Sequence, residues 1–339
     1  MQPEPELANP WRIGDVVIRN RVVLAPMSGI SDLPFRRLAH RFGAGMVVTE
    51  MIASRELVAD NGDSRRRMSH QPGIVHVVQL AGREAGWMAE AARIAEGEGA
   101  DIVDINMGCP AKKVIGGYSG SALMRDPDHA LSLIEATVAA VSVPVTVKMR
   151  LGWDEGSINA PEIAARAEAA GAATITVHGR TRAQFYEGRA DWNAIRAVRQ
   201  AIRVPLVANG DVASPVDCTG ILAASGADAV MVGRAAQGRP WLPGQLAGST
   251  GIPKAPEAIL ATVLEHYEAM LVHYGSELGG RQARKHLGAY LGLHCPRTPP
   301  DLKSAILTGR DPKAVAAALC EAFGHFSAAA ASGGISEAA

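Results

Sequence analysis

Eight short apolar runs, most of them rich in β-branched residues, each end in small or polar residues. The runs at 22–25, 46–49, 75–78 and 102–105 lead into Pro26-Met27-Ser28, Glu50, Gln79 and Asn106-Met107-Gly108-Cys109. Those at 145–147, 174–177, 206–208 and 229–232 lead into Lys148, His178, Asn209-Gly210-Asp211 and Gly233-Arg234. Each run has strand length, and an Ala-rich stretch of helical length separates most of them. Eight such units predict a closed parallel (β/α)8 TIM barrel. In that fold the chemistry sits at the strand C-termini, where these polar residues gather.

The predicted helices cover 33–42, 84–98, 127–140, 160–170, 191–201 and 215–225. Several are followed by Gly (Gly43, Gly99, Gly171, Gly226), which suits the left-handed turn that often ends a helix. A short hairpin is expected over 11–20, ahead of the first barrel strand. The chain has 339 residues, more than the roughly 250 a barrel needs. The strand–helix rhythm stops after Arg234, and Pro240, Pro243, Gly244, Gly248, Gly251, Pro253 and Pro256 mark a connector. Helical patterns at 258–274, 282–293 and 312–331 follow. The predicted organisation is a flexible tail at 1–10, a barrel at 11–245, a small all-helical C-terminal domain at 255–330 and a flexible tail at 331–339.

Acidic and basic residues balance at 34 each. A protein coated in basic charge is excluded, whereas a local basic face is not. Cys109, Cys218, Cys295 and Cys320 lie far apart, so neither a disulfide framework nor a structural zinc site is expected. The acidic, Pro-rich N-terminus lacks the features of a signal peptide, and no apolar stretch approaches the roughly 20 residues that span a bilayer. The expectation is a cytoplasmic protein with no membrane association and no obligate protein partner.

At the strand ends, Asn209-Gly210-Asp211 and Gly233-Arg234 close the last two predicted strands, where this fold commonly binds phosphate. Arg234 can pair with a phosphoryl group; the plainer alternative is two ordinary turns. Lys148 needs either an acidic partner or an electron-rich ligand. A cation beside a flavin N1–C2 carbonyl would stabilise the reduced anion, and Gln79 can both donate to and accept from a ring edge. His178 could equally be a satisfied core histidine. No His, Asp or Glu cluster has metal-ligand spacing, so no metal is expected. Cys109 stands apart from the other cysteines, which read as packing material, because it sits on a Gly/Pro turn at the functional rim. Lys112 and Lys113 follow it and could meet an anion.

The chain resembles the tRNA-dihydrouridine synthases, most closely the bacterial B-type members. The resemblance rests on Ala25-Pro26-Met27-Ser28-Gly29, Thr49-Glu50-Met51, Val78-Gln79-Leu80, Asn106-Met107-Gly108-Cys109-Pro110 and Val147-Lys148-Met149-Arg150. It continues through His178-Gly179-Arg180-Thr181-Arg182, Ala208-Asn209-Gly210-Asp211 and Met231-Val232-Gly233-Arg234, with Arg284-Lys285-His286 a weaker match in the helical region. The cysteine-bearing segment is the discriminating one. The resemblance implies FMN at the barrel mouth, NADPH as reductant, and reduction of the uracil C5=C6 bond in tRNA. A hydride would pass from flavin N5 to C6 and a proton from Cys109 to C5.

Pro26, Met27, Ser28, Gln79, Lys148 and His178 would hold the flavin ring or ribityl chain. Asn209, Gly210, Asp211, Gly233 and Arg234 would hold the chain and phosphate. Candidate tRNA contacts are Asn106, Lys112, Lys113, Arg180, Arg182, Arg284 and Lys285, with Arg189, Arg281 and the Arg65-Arg66-Arg67 run behind them. No G-x-G-x-x-G fingerprint is present, so the choice of NADPH comes from the resemblance alone. Two alternatives remain: a small-molecule flavin reductase of the dihydroorotate dehydrogenase or ene-reductase type, and a non-catalytic RNA-binding barrel.

Overall fold

The computed structural model describes residues 6–333, with side chains described through 324. The outermost parts of the two expected tails, 1–5 and 334–339, lie outside the described residues. Residues 6–10 are tied down: Arg21 N–H donates to the Leu7 carbonyl at 2.8 Å, and Leu7 packs on the main core.

Strands β1 (Trp11–Ile13) and β2 (Val16–Ile18) form an antiparallel hairpin, Trp11 opposite Ile18. Its apolar side chains pack on Val23, Val77, Ile102, Val207 and Ala229, at or near the starts of barrel strands. The hairpin therefore plugs the barrel end away from the strand C-termini.

The barrel strands are β3 (Val22–Leu24), β4 (Met46–Val47), β5 (Ile52–Ala53), β6 (Val77–Ala81), β7 (Ile102–Met107), β8 (Val145–Arg150), β9 (Thr174–His178), β10 (Leu206–Asn209) and β11 (Ala229–Val232). They pair in parallel in the order β4-β3-β11-β10-β9-β8-β7-β6-β5. A parallel bridge from Val48 to Val77 joins β4 to β6 and closes the barrel. β4 and β5 are thus two pieces of one stave, interrupted at Thr49-Glu50-Met51. Thr49 Oγ1 accepts the Gln79 N–H at 2.9 Å within that break.

Three strands outrun the apolar stretches that announced them. β6 continues past Gln79, β7 past Asn106 and β8 past Lys148. Polar side chains do not end a strand when they satisfy one another inside the barrel, and these largely do.

Beyond β11, helices Pro256–Tyr274, Ser276–His294, Pro300–Thr308 and Pro312–Gly333 enclose a second core of Trp241, Val263, Met270, Leu287, Tyr290, Leu319 and Phe323. Helix Pro300–Thr308 was not anticipated; it starts on Pro300, and Pro at the first helical position suits a helix start. Helices Ser54–Val58 and Gly62–Met68 were likewise missed. In the latter, Arg65 pairs with Asp60 and Glu98, while Arg66 and Arg67 pair with Asp63. The helical unit docks on the barrel helix Leu33–Arg41 through an Arg41–Glu265 ion pair and an edge-on Phe42–Trp241 contact. No described helix is long and apolar enough to cross a membrane. All four cysteines are free; Cys218 and Cys295 are buried, but Cys320 is exposed rather than packed.

Candidate active site

A cavity of about 540 Å³ opens at the C-terminal ends of the strands. Cys109, Pro26, Met27, Ser28, Gln79, Asn106, Lys148, His178, Asn209, Gly210, Asp211, Gly233 and Arg234 all line it. Residues drawn from more than two hundred positions therefore meet at one mouth.

A polar ladder crosses the barrel wall beneath the cysteine turn. Thr146 Oγ1 donates to Asp104 Oδ1 at 2.6 Å, and Gln79 Nε2 donates to Asp104 Oδ2 at 2.7 Å. Asn106 Nδ2 donates to Gln79 Oε1 at 2.8 Å, and Asn106 Oδ1 accepts the N–H groups of Gly108 (3.2 Å) and Cys109 (3.0 Å). The amide of Asn106, expected to contact RNA, is thus spent on shaping the turn that presents Cys109. From the other side, Ser121 donates its N–H and hydroxyl to the Cys109 carbonyl at 3.1 and 2.9 Å. The backbone of Cys109 is fixed while its half-buried side chain faces the cavity.

Burial raises the Asp104 carboxyl to about 6, against the hydrogen bonds from Gln79 and Thr146. The native state then holds this proton more tightly than the unfolded chain. Its favourable contribution is fully present below about pH 4 and is lost as pH rises through about 6. Asp104→Asn should flatten this part of the stability–pH curve, measured as thermal midpoints at a series of pH values. The ladder should survive the change, with the amide oxygen accepting from Gln79 and its N–H donating to the Thr146 hydroxyl. A variant with the parental pH slope would overturn the assignment.

Lys148 Nζ donates to Asn209 Oδ1 at 3.3 Å rather than pairing closely with a carboxylate. Burial, then Arg150, pushes the ammonium down to about 8, with Asp104 opposing. Arg150 was missed as a cavity residue. It stands two positions from Lys148 on the same strand, hence on the same face, and that spacing was the available signal. Its Nε donates to the Gly108 carbonyl and its Nη1 to the Thr181 and Phe185 carbonyls, each at 2.8 Å. Tyr186, also missed, is flanked by the guanidinium carbons of Arg150 and Arg234 at 5.5 and 4.8 Å from its ring centre.

His178 is buried, and its imidazole is held far below the ordinary range by that burial, then by Lys148, Arg150, Arg180 and Arg234. Arg180 Nη1 lies 3.3 Å from His178 Nε2. Arginine only donates, so Nε2 accepts and the ring proton belongs on Nδ1. Gly210 has φ +135°, and a Cβ there would lie 2.5 Å from the Ala190 Cβ, so no other residue fits. Asp211, itself at φ +57°, accepts from Arg180, the Ala190 N–H and, at 3.4 Å, Arg234. Burial raises its carboxyl, but the Arg180 hydrogen bonds, the Ala190 N–H and the charges of Arg180 and Arg234 together outweigh that and hold it below its usual range.

The expected rim cations divide. Lys112, Lys113 and Lys285 are exposed, and the Lys285 amine reaches across to Gly29 beside Ser28. Arg182 is half-buried against Trp153, whose ring also carries Arg125. Arg284 is half-buried, with Nη2 3.5 Å from the Thr308 carbonyl. Arg180 departs from the expected rim position: its side chain is 1% exposed and sits behind the cavity wall, because Asp211 and two carbonyls draw it inward.

Among solved structures, the chain is similar to morphinone reductase (TM-score 0.51, 15% identity, 75% of this chain and 94% of that one). It is also similar to histamine dehydrogenase from Rhizobium sp. 4-9 (TM-score 0.58, 13% identity, 95% and 64%). At these identities the likeness speaks for the fold alone. A probable tRNA-dihydrouridine synthase of Rhizobium leguminosarum bv. phaseoli is 65% identical over 305 residues, covering 90% of this chain and 96% of the relative. The tRNA-dihydrouridine synthase B of Klebsiella pneumoniae is 47% identical over 292 residues, covering 84% and 91%. The dihydrouridine synthase profile matches residues 23–323, a span holding every strand-end motif and most of the helical unit, and the chain belongs to that family.

Proposed function

We propose that the mouth binds FMN and that the protein reduces the C5=C6 bond of specific uridines in tRNA to 5,6-dihydrouridine, with NADPH as the reductant. The observation that carries this reading is the meeting of Lys148 and Cys109 in one cavity, in a chain of this family. The donor set suits a flavin mononucleotide. Lys148 and Gln79 offer an ammonium and an amide to ring carbonyls, and the partly exposed Arg234 offers a guanidinium to phosphate. The cavity volume lies within the usual range of roughly 300–1,000 Å³ for cofactor sites.

When bound, FMN would supply the hydride equivalent that uracil C6 takes up. Cys109 would supply the proton that C5 requires, acting as a general acid. Asn106 and Ser121 hold the cysteine turn at that place. Neutral His178 keeps an N–H available to the mouth. Lys112, Lys113, Arg182, Arg284 and Lys285 are the proposed contacts to tRNA phosphates, with Asn106 and Arg180 supporting the site from behind. A uridine must leave its stacks to reach the mouth, which costs a few kcal/mol and least in a flexible loop.

Nucleoside analysis of tRNA from cells with and without the gene tests this reading. Loss of dihydrouridine at one or more positions on deletion, restored by the plasmid-borne gene, is the expected result. Unchanged dihydrouridine, together with turnover of free pyrimidines or enones by the purified protein, would favour the small-molecule reductase instead.

A further inference from the structure

The linear spacing gave no reason to expect a metal, yet the fold assembles a ligand set that the active site does not use. Asp32 follows β3 and caps helix Leu33–Arg41, while His266 and His286 come from the first two helices of the C-terminal unit. One donor atom from each lies within 4.8 Å of the other two. Both imidazoles are only 1% exposed. His286 has no hydrogen-bond partner at either ring nitrogen, and His266 has none at Nε2. A buried polar nitrogen without a partner is costly, and here one nitrogen from each imidazole lies close to the other and to a carboxylate oxygen.

We propose that Asp32, His266 and His286 form a zinc site that fastens the helical unit to the barrel. Two imidazoles and a carboxylate are a ligand set typical of zinc. Zinc bonds of about 2.0–2.2 Å hold tetrahedral donors roughly 3.5 Å apart, so side-chain adjustments of about an ångström close the site. The surroundings orient the ligands as metal sites do. His266 Nδ1 is 3.1 Å from the Tyr290 hydroxyl, leaving Nε2 for the ion. Asp32 Oδ1 accepts the Phe35 N–H at 3.0 Å, and Oδ2 accepts from the Tyr274 hydroxyl at 3.2 Å. Phe35 stacks on His286, ring centres 5.3 Å apart, and shields the cluster from water. Because the ligands span two units, binding would couple the seam to folding. The inference stands independently of the reading of the mouth.

The test uses the full-length, flavin-loaded protein. Metal analysis after purification without chelators, and zinc titration against a chromophoric chelator, should give about one tightly held zinc per chain. Added zinc should raise the thermal midpoint and a strong chelator should lower it. Tyr290→Phe, which keeps every ligand, should weaken zinc affinity by about 10- to 100-fold. His266→Gln with His286→Gln should abolish stoichiometric uptake. If the folded parent neither carries zinc nor takes it up saturably, the trio is only a packed polar seam and the proposal fails. Uptake undiminished in the double variant would place the zinc elsewhere and overturn it equally.

Discussion

Cys109→Ala should lower dihydrouridine formation by about 10²–10⁴-fold, the usual contribution of a positioned proton donor. Flavin content and NADPH oxidation should stay at the parental level. The separation is expected because Cys109 is held by backbone contacts: Asn106 Oδ1 accepts its N–H, and Ser121 donates to its carbonyl. Removing the sulfur leaves the turn, the ladder and the cavity wall in place. Mass analysis of tRNA nucleosides gives the first quantity, and flavin absorbance with stopped-flow reduction gives the second. Uridine reduction at the parental rate would remove Cys109 as the acid. Loss of flavin together with activity would instead make the cysteine a packing element of the mouth.

Arg180→Ala should destabilise the fold by about 1–3 kcal/mol, the cost of leaving its partly buried hydrogen-bond partners unpaired, since the Asp211 carboxylate, 30% exposed, still reaches water. Flavin retention should fall with it. All five guanidinium N–H groups are used. Two go to Asp211 at 2.9 and 2.7 Å, and one each to the Glu187 carbonyl (3.0 Å), the Gly188 carbonyl (2.7 Å) and His178 Nε2 (3.3 Å). Asp211 then holds the Ala190 N–H and Arg234 in turn. Arg180→Lys should rescue little, since an ammonium has three donors and no planar fork. Denaturant unfolding and flavin content after dialysis read both effects. A variant within about 1 kcal/mol of the parent, with full flavin, would show that the pair is a bystander.

The barrel was legible because its strands are apolar runs at a steady spacing, and a parallel barrel demands little more. What local pattern could not show was long-range pairing. Arg180 and Asp211 stand 31 positions apart, so nothing near Arg180 in the sequence distinguished it from a solvated rim charge. Gln79, Asn106 and Lys148 read as strand terminators because polar letters usually mean solvent. Ladder partners on neighbouring staves hold Gln79 and Asn106, and Asn209 two staves away holds Lys148, so the strands run on. Arg150 was the avoidable omission, given its two-residue offset from Lys148. The Asp32, His266 and His286 cluster was out of reach, its members belonging to different units.

The ladder from Thr146 through Asp104, Gln79 and Asn106 to the cysteine turn has a bearing on how such a chain can drift. Each rung fixes the donor and acceptor sense of the next, so the four positions behave as one letter of a larger alphabet. Saturation libraries should find nearly every single replacement there harmful, while certain paired replacements recover what either alone forfeits. Lineages would then cross between versions of this wall by coordinated jumps rather than by gradual wandering.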